Sequence, residues 1–223
     1  MEELYREIEI FSKWAETYYP EWSEQNDNGE WEMGRDSHFY EMCDAAVNVI
    51  NEHESSKADE KTIDSLLFVI ARDNECEVII DKLTLHKDWF ELLAKKGIGS
   101  KYVNAEWQFA KYLGECKECD QNLIFAFIES DYEYTSRMAL NTMADLRPDC
   151  AEEYAIRFWN RGKYPEGSYE DEYQKIMALR VLEKIQSTKL EEYLEKSLKS
   201  EYKWLKENAE EIVHNLLHKK NKV

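Results

Sequence analysis

Cys116-Lys117-Glu118-Cys119 is a Cys-x-x-Cys, a spacing at which two sulfurs can share a zinc ion or close a redox disulfide. Zinc needs two more ligands, and the chain has no second pair of this kind; no strand precedes the motif, so a thioredoxin-type context is missing as well. The expectation is a structural role in a turn between helices. His214 and His218, four apart, share one helix face, which can hold a metal, but no acidic residue stands next to His214 as a zinc-peptidase motif requires. They read as cationic partners of a helix C-terminus. Arg72-Asp73-Asn74-Glu75 gathers polar groups at a turn where acid–base chemistry can sit, although side chains satisfying a helix end explain it more simply. Glycine-rich phosphate loops, a Gly-x-Ser-x-Gly elbow and a kinase residue set are all missing. The sequence therefore names no catalytic residue, no cofactor and no metal site.

The residues that stand out chemically are aromatic and acidic. Trp14, Tyr18, Tyr19, Trp22 and Trp31 fall close together, interleaved with Glu21, Glu24, Asp27, Glu30 and Glu32. Trp and Tyr anchor interfaces, and carboxylates around them select basic partners; the simpler alternative is that the rings cover the open end of a helical array. Formal net charge is −18, and residues 1–60 hold 17 acidic against 4 basic side chains. Such a field repels phosphate backbones and anionic membranes, so a basic protein or peptide is the expected partner, with nucleic acid and membrane disfavoured.

The positioning elements are helical. The segment from Met138 to Trp159 returns 39 residues later, from Met177 to Leu198: Met138-Ala139-Leu140 matches Met177-Ala178-Leu179, and Glu152-Glu153-Tyr154 matches Glu191-Glu192-Tyr193. Ala139, Thr142, Met143 and Leu146 correspond to Ala178, Val181, Leu182 and Ile185, each set one face of a helix. Capping boxes are expected at Asp149 with Glu152 and at Thr188 with Glu191. Only 7 Gly and 3 Pro occur in 223 residues, which suits helices. A helical hairpin repeated at this period buries its apolar face by stacking on its neighbours. The expected fold is thus all-α, a right-handed α-solenoid of antiparallel helix pairs. Residues 1–60 form an acidic, aromatic-rich cap, residues 61–198 the repeats and residues 199–223 a capping helix, in one continuous array. Five cysteines, odd in number and set mostly in apolar helical patterns, suggest reduced thiols. No apolar run is long enough to span a bilayer, and Met1–Tyr5 has neither a basic region nor an apolar run. A cytoplasmic protein without a signal peptide is expected.

The chain resembles HEAT-like repeat proteins of the armadillo-type group. The resemblance rests on Asp131 and Glu133 before a first helix carrying Ala139, Leu140, Met143 and Leu146, and on the matching Ala178, Leu179, Leu182 and Ile185. Lys175 sits three residues before Ala178, where such repeats often carry a basic residue, whereas Arg137 is two before Ala139, one position off. The likeness covers residues 100–198 well, 60–99 weakly and the first 60 not at all. It supports a fold and not an activity; the expected function is a non-enzymatic protein-binding module, one version being an inhibitor or immunity-type antidote of a basic protein. A rival reading is an enzyme of the alkylpurine DNA glycosylase type, which also uses HEAT-like repeats; the charge of −18 opposes it.

Overall fold

Few glycines, spaced apolar residues and short polar connectors leave helices as the way for this chain to satisfy its backbone. The computed structural model describes residues 1–19 and 35–220, and among these it holds twelve α-helices and no strand. In order they are α1 (Glu2–Tyr18), α2 (Phe39–Glu52), α3 (Glu60–Arg72), α4 (Val78–Leu83), α5 (Lys87–Gly97), α6 (Val103–Tyr112), α7 (Leu123–Ile128), α8 (Glu133–Leu146), α9 (Pro148–Asn160), α10 (Tyr169–Lys184), α11 (Leu190–Leu198) and α12 (Lys203–Lys220). No helix among the described residues is long and apolar enough to cross a membrane. The chain divides into two compact units, Met1–Thr135 and Ser136–Val223.

The first unit is built around α3, in which every residue from Leu66 to Arg72 is buried. A helix buried on all sides must be apolar all round, and Leu66-Leu67-Phe68-Val69-Ile70-Ala71 is. Asp59 caps its start, accepting from the Thr62 N–H at 2.8 Å. α6 lies beside it. Tyr102 Oη donates to Asp64 Oδ2 at 3.0 Å near one end, and Gln108 Nε2 donates to the Ile70 carbonyl at 2.8 Å near the other. Both pairs are 38 residues apart, so the two helices run in the same direction and in step.

A buried carboxylate ties the next turn to this core. Glu106 of α6 is 1 % exposed and accepts from the Gly99 N–H at 3.1 Å, Ser130 Oγ at 3.1 Å and Thr135 Oγ1 at 3.4 Å. Gly99 adopts φ +68, a conformation favoured by glycine, as the chain turns after α5. Burial raises the Glu106 pKa, and the three donated hydrogen bonds counter that rise.

The second unit carries the internal repeat, and equivalent positions have equivalent burial. Ala139 and Ala178, Leu140 and Leu179, and Met143 and Leu182 are all fully buried, while Thr142 and Val181 are buried beside them. Along α9 and α11, Ala155 matches Leu194 and Phe158 matches Ser197, again all buried. Ser136 Oγ meets Gln174 Nε2 at 3.5 Å, and Lys184 Nζ meets Asp145 Oδ2 at 2.6 Å. These contacts span 38 and 39 residues, so α8 and α10 are also parallel and in step. Arg180 extends the series by donating to Asn208 Oδ1 at 2.8 Å and by pairing with Glu211 on α12.

Both expected capping boxes are replaced. Pro148, with its fixed φ, occupies the first turn of α9, so Asp149 lies inside the helix and pairs with Arg147 at 3.0 Å. Before α11, Gln186 takes φ 55 and the Ser187 N–H bonds back to the Leu182 carbonyl at 2.9 Å, closing α10 in a left-handed cap. Ser187 Oγ then accepts from the Lys189 N–H at 2.9 Å, in place of Thr188. The thiol expectation also changes. Cys116 and Cys119, buried in the turn between α6 and α7, form a disulfide, because the turn brings their Cα atoms to 5.4 Å and bonds the Cys119 N–H to the Cys116 carbonyl at 3.0 Å. Cys43, Cys76 and Cys150 are free.

Candidate protein-binding surface

Unit boundaries sharpen the charge asymmetry. The first unit holds 31 acidic and 13 basic side chains, a net −18, whereas the second holds 16 of each and is neutral. The whole excess of the chain therefore sits in the first unit. Helix α2, FYEMCDAAVNVINE, contains no lysine or arginine. It buries Phe39, Met42, Ala45, Ala46, Val49 and Ile50 and turns Tyr40, Glu41, Asp44, Asn48 and Glu52 outward. Tyr40 is 64 % exposed, an aromatic ring in an acidic stripe.

The start of α2 is fixed by the aromatic contacts of α1. Phe11, fully buried, packs on Phe39 with ring centroids 6.4 Å apart and on Trp14 at 5.8 Å; Trp14 in turn meets Tyr18 at 5.5 Å and Tyr19 at 5.6 Å. Tyr40 stands edge-on to Phe39 at 5.5 Å. A continuous series of rings thus joins the end of α1 to the outward face of α2. Within it Trp14 is half-buried, with its indole N–H inside and no hydrogen-bond partner among the described residues, and Tyr18 is 60 % exposed. Trp22, Trp31, Glu21, Glu24, Asp27, Glu30 and Glu32 lie outside the described residues.

A contact to a buried carboxylate holds the two helices in this register. Glu7, 6 % exposed, accepts from Arg6 at 2.7 Å and faces His38 Nδ1 at 3.0 Å. His38 caps α2 in the left-handed region, φ 57. Hydrogen bonds from Arg6 and then His38 lower the Glu7 pKa despite its burial. No sequence spacing signals this contact, because its members are 31 residues apart.

The Arg72–Glu75 turn serves the fold. Arg72 Nη1 donates to the Phe68 carbonyl at 2.9 Å with its guanidinium 3.4 Å from the centre of the Phe68 ring. Asp73 Oδ2 accepts from the Ile79 N–H at 2.7 Å, satisfying the start of α4. Burial pushes the Asp73 carboxyl up to about 6 and, with Asp73 and Asp44 nearby, raises the Cys43 thiol far above its ordinary range. For Asp73 the folded pKa exceeds the unfolded one. Its contribution to stability is therefore full below about pH 4 and is lost as pH rises through about 6. Asp73→Asn is expected to flatten the fall in unfolding free energy across that window, on the order of 2–3 kcal/mol. Urea denaturation at a series of pH values checks this, and an unchanged slope in the variant refutes it.

The first unit also carries a cleft of mixed charge. It has a volume of about 910 Å³ and is lined by Glu54, Asp88, Glu91 and Glu118 together with Lys87, Lys95, His53 and His86, and Lys95 pairs with Glu91 at 3.1 Å. Trp89 anchors its floor, donating to the His53 carbonyl at 2.8 Å, and Glu91 accepts from the Asp120 N–H at 3.0 Å. Its residues come from three separated segments, so no local pattern announces it. Among the described residues, no three His, Cys, Asp or Glu side chains converge as a metal cluster. No family model, curated protein or solved structure matches the chain.

Proposed function

We propose that the chain is a non-enzymatic, protein-binding helical-repeat module of the HEAT-like kind, a right-handed solenoid of antiparallel helix pairs, whose acidic first unit docks a basic protein or peptide. The charge partition carries this reading: an acidic surface serving only solubility has no reason to leave 88 residues at zero while the other 135 hold −18. Contacts at offsets of 38 and 39 residues, between α3 and α6 and between α8 and α10, support the repeat architecture. The acidic field steers the partner in, and exposed rings such as Tyr40 and Tyr18 anchor it. In one version the protein is an inhibitor or immunity-type antidote whose carboxylates stand in for the phosphates a basic target would bind. We place it in the cytoplasm, where burial of Cys116 and Cys119 shields their disulfide from thiol exchange.

The test is affinity capture from the source cell with mass spectrometry. A strongly basic protein recovered at near unit stoichiometry and released by salt is the expected result. Nucleic acid as the only stoichiometric ligand would instead favour the rival glycosylase-type reading.

A further inference from the structure

The exposed face of α12 presents a feature that the proposed docking leaves unused. His214 and His218, one helical turn apart, turn their Nε2 atoms toward each other at 2.9 Å, with ring centroids 4.2 Å apart. Both side chains are solvent-exposed. With one ring protonated at Nε2 and the other not, a single shared hydrogen bond accounts for the approach. The same convergence is the bite of a chelate. Two imidazole nitrogens at about 2.0–2.1 Å from one ion are separated by roughly 2.9 Å at a right angle and by roughly 3.4 Å at the tetrahedral angle.

We infer that His214 and His218 form a bidentate site for a late first-row divalent metal ion, with Cu²⁺ preferred. Paired imidazole ligands exclude hard, oxygen-seeking cations such as Mg²⁺ and Ca²⁺. A right-angled bite suits the tetragonal geometry of Cu²⁺ and Ni²⁺ better than tetrahedral Zn²⁺, and the general affinity order places Cu²⁺ first. Among the described residues no third His, Cys, Asp or Glu completes the set, so water fills the remaining positions and the site stays open to an outside ligand. The bound ion ties together two consecutive turns of α12.

The experiment titrates the intact protein with Cu²⁺, Ni²⁺, Zn²⁺ and Mg²⁺ salts by calorimetry, alongside His214→Ala, His218→Ala and, as a control, a His53→Ala/His86→Ala variant. One ion per chain is expected to bind at the pair, Cu²⁺ tightest and Mg²⁺ not at all. Each single α12 variant should weaken Cu²⁺ at least tenfold, while the control leaves it unchanged. Amide exchange of α12 should slow on Cu²⁺ addition in the wild type alone, a readout independent of affinity. Because both histidines are exposed, the variants are expected to keep the wild-type circular dichroism spectrum. Cu²⁺ affinity and α12 exchange unaffected by His218→Ala, or Mg²⁺ binding as well as Cu²⁺, would overturn the assignment.

Discussion

Ala139→Lys is expected to lower unfolding free energy by about 3–5 kcal/mol, enough to threaten a domain whose total is typically 5–15 kcal/mol. Ala139 and its repeat equivalent Ala178 are fully buried, and both are methyl-sized. A lysine there must either hold an ammonium away from water or force its helix off its neighbours. For a chain of this size that corresponds to a fall in Tm of roughly 6–20 °C. Ala178→Lys should behave alike, because the two positions repeat the same packing. Asn160→Lys, exposed at the end of α9, should move stability by no more than about 0.5 kcal/mol. Thermal and urea unfolding of the three variants decides the matter, and an unchanged Tm in Ala139→Lys contradicts the helix face assigned here.

Glu106→Ala ranks second. It removes the shared acceptor of the Gly99 N–H, Ser130 Oγ and Thr135 Oγ1 and leaves those donors around a cavity. A buried donor stripped of its partner costs about 1–3 kcal/mol; some relaxation is expected, giving a net loss of about 3–4 kcal/mol. Glu106→Gln keeps the volume and one acceptor oxygen and should lose about half as much. A Glu106→Gln variant as stable as the wild type, beside a destabilised Glu106→Ala, would show that volume, and not hydrogen bonding, is what this position supplies.

The repeat was legible because stacking asks the same thing of equivalent residues. Ala139 and Ala178 must both be small and Met143 and Leu182 both apolar, so the period survives in the letters. Helix starts were less legible, since Pro148 and Gln186 decided the backbone ahead of Asp149 and Thr188. Glu106 gave no signal: a carboxylate between Ala105 and Trp107 reads as a solvent-facing residue until Ser130 and Thr135 are folded against it. The acidic character of the candidate surface was plain from composition. Its attachment to α2, through Phe11, Phe39 and Tyr40, depended on contacts across the polar segment that separates α1 from α2. The cleft beneath His53 and His86 was likewise a product of three segments meeting in space. Paired residues far apart in the chain, such as Glu7 with His38, are visible only once packing has brought them together.

The central claim is that the charge of the first unit recruits a basic partner. It is tested most directly by stopped-flow association with the captured partner at 0.1 M and 1 M salt. The wild type is compared with a variant carrying Glu41→Gln, Asp44→Asn and Glu52→Gln on α2, and with one carrying neutral residues at Glu21, Glu24, Asp27, Glu30 and Glu32. Screening shortens from about 10 Å to about 3 Å between these salts. The wild-type association rate should therefore drop at least tenfold at high salt, and both variants should already be slow at low salt with dissociation little changed. Association rates indifferent to salt and to both sets of substitutions would contradict the account.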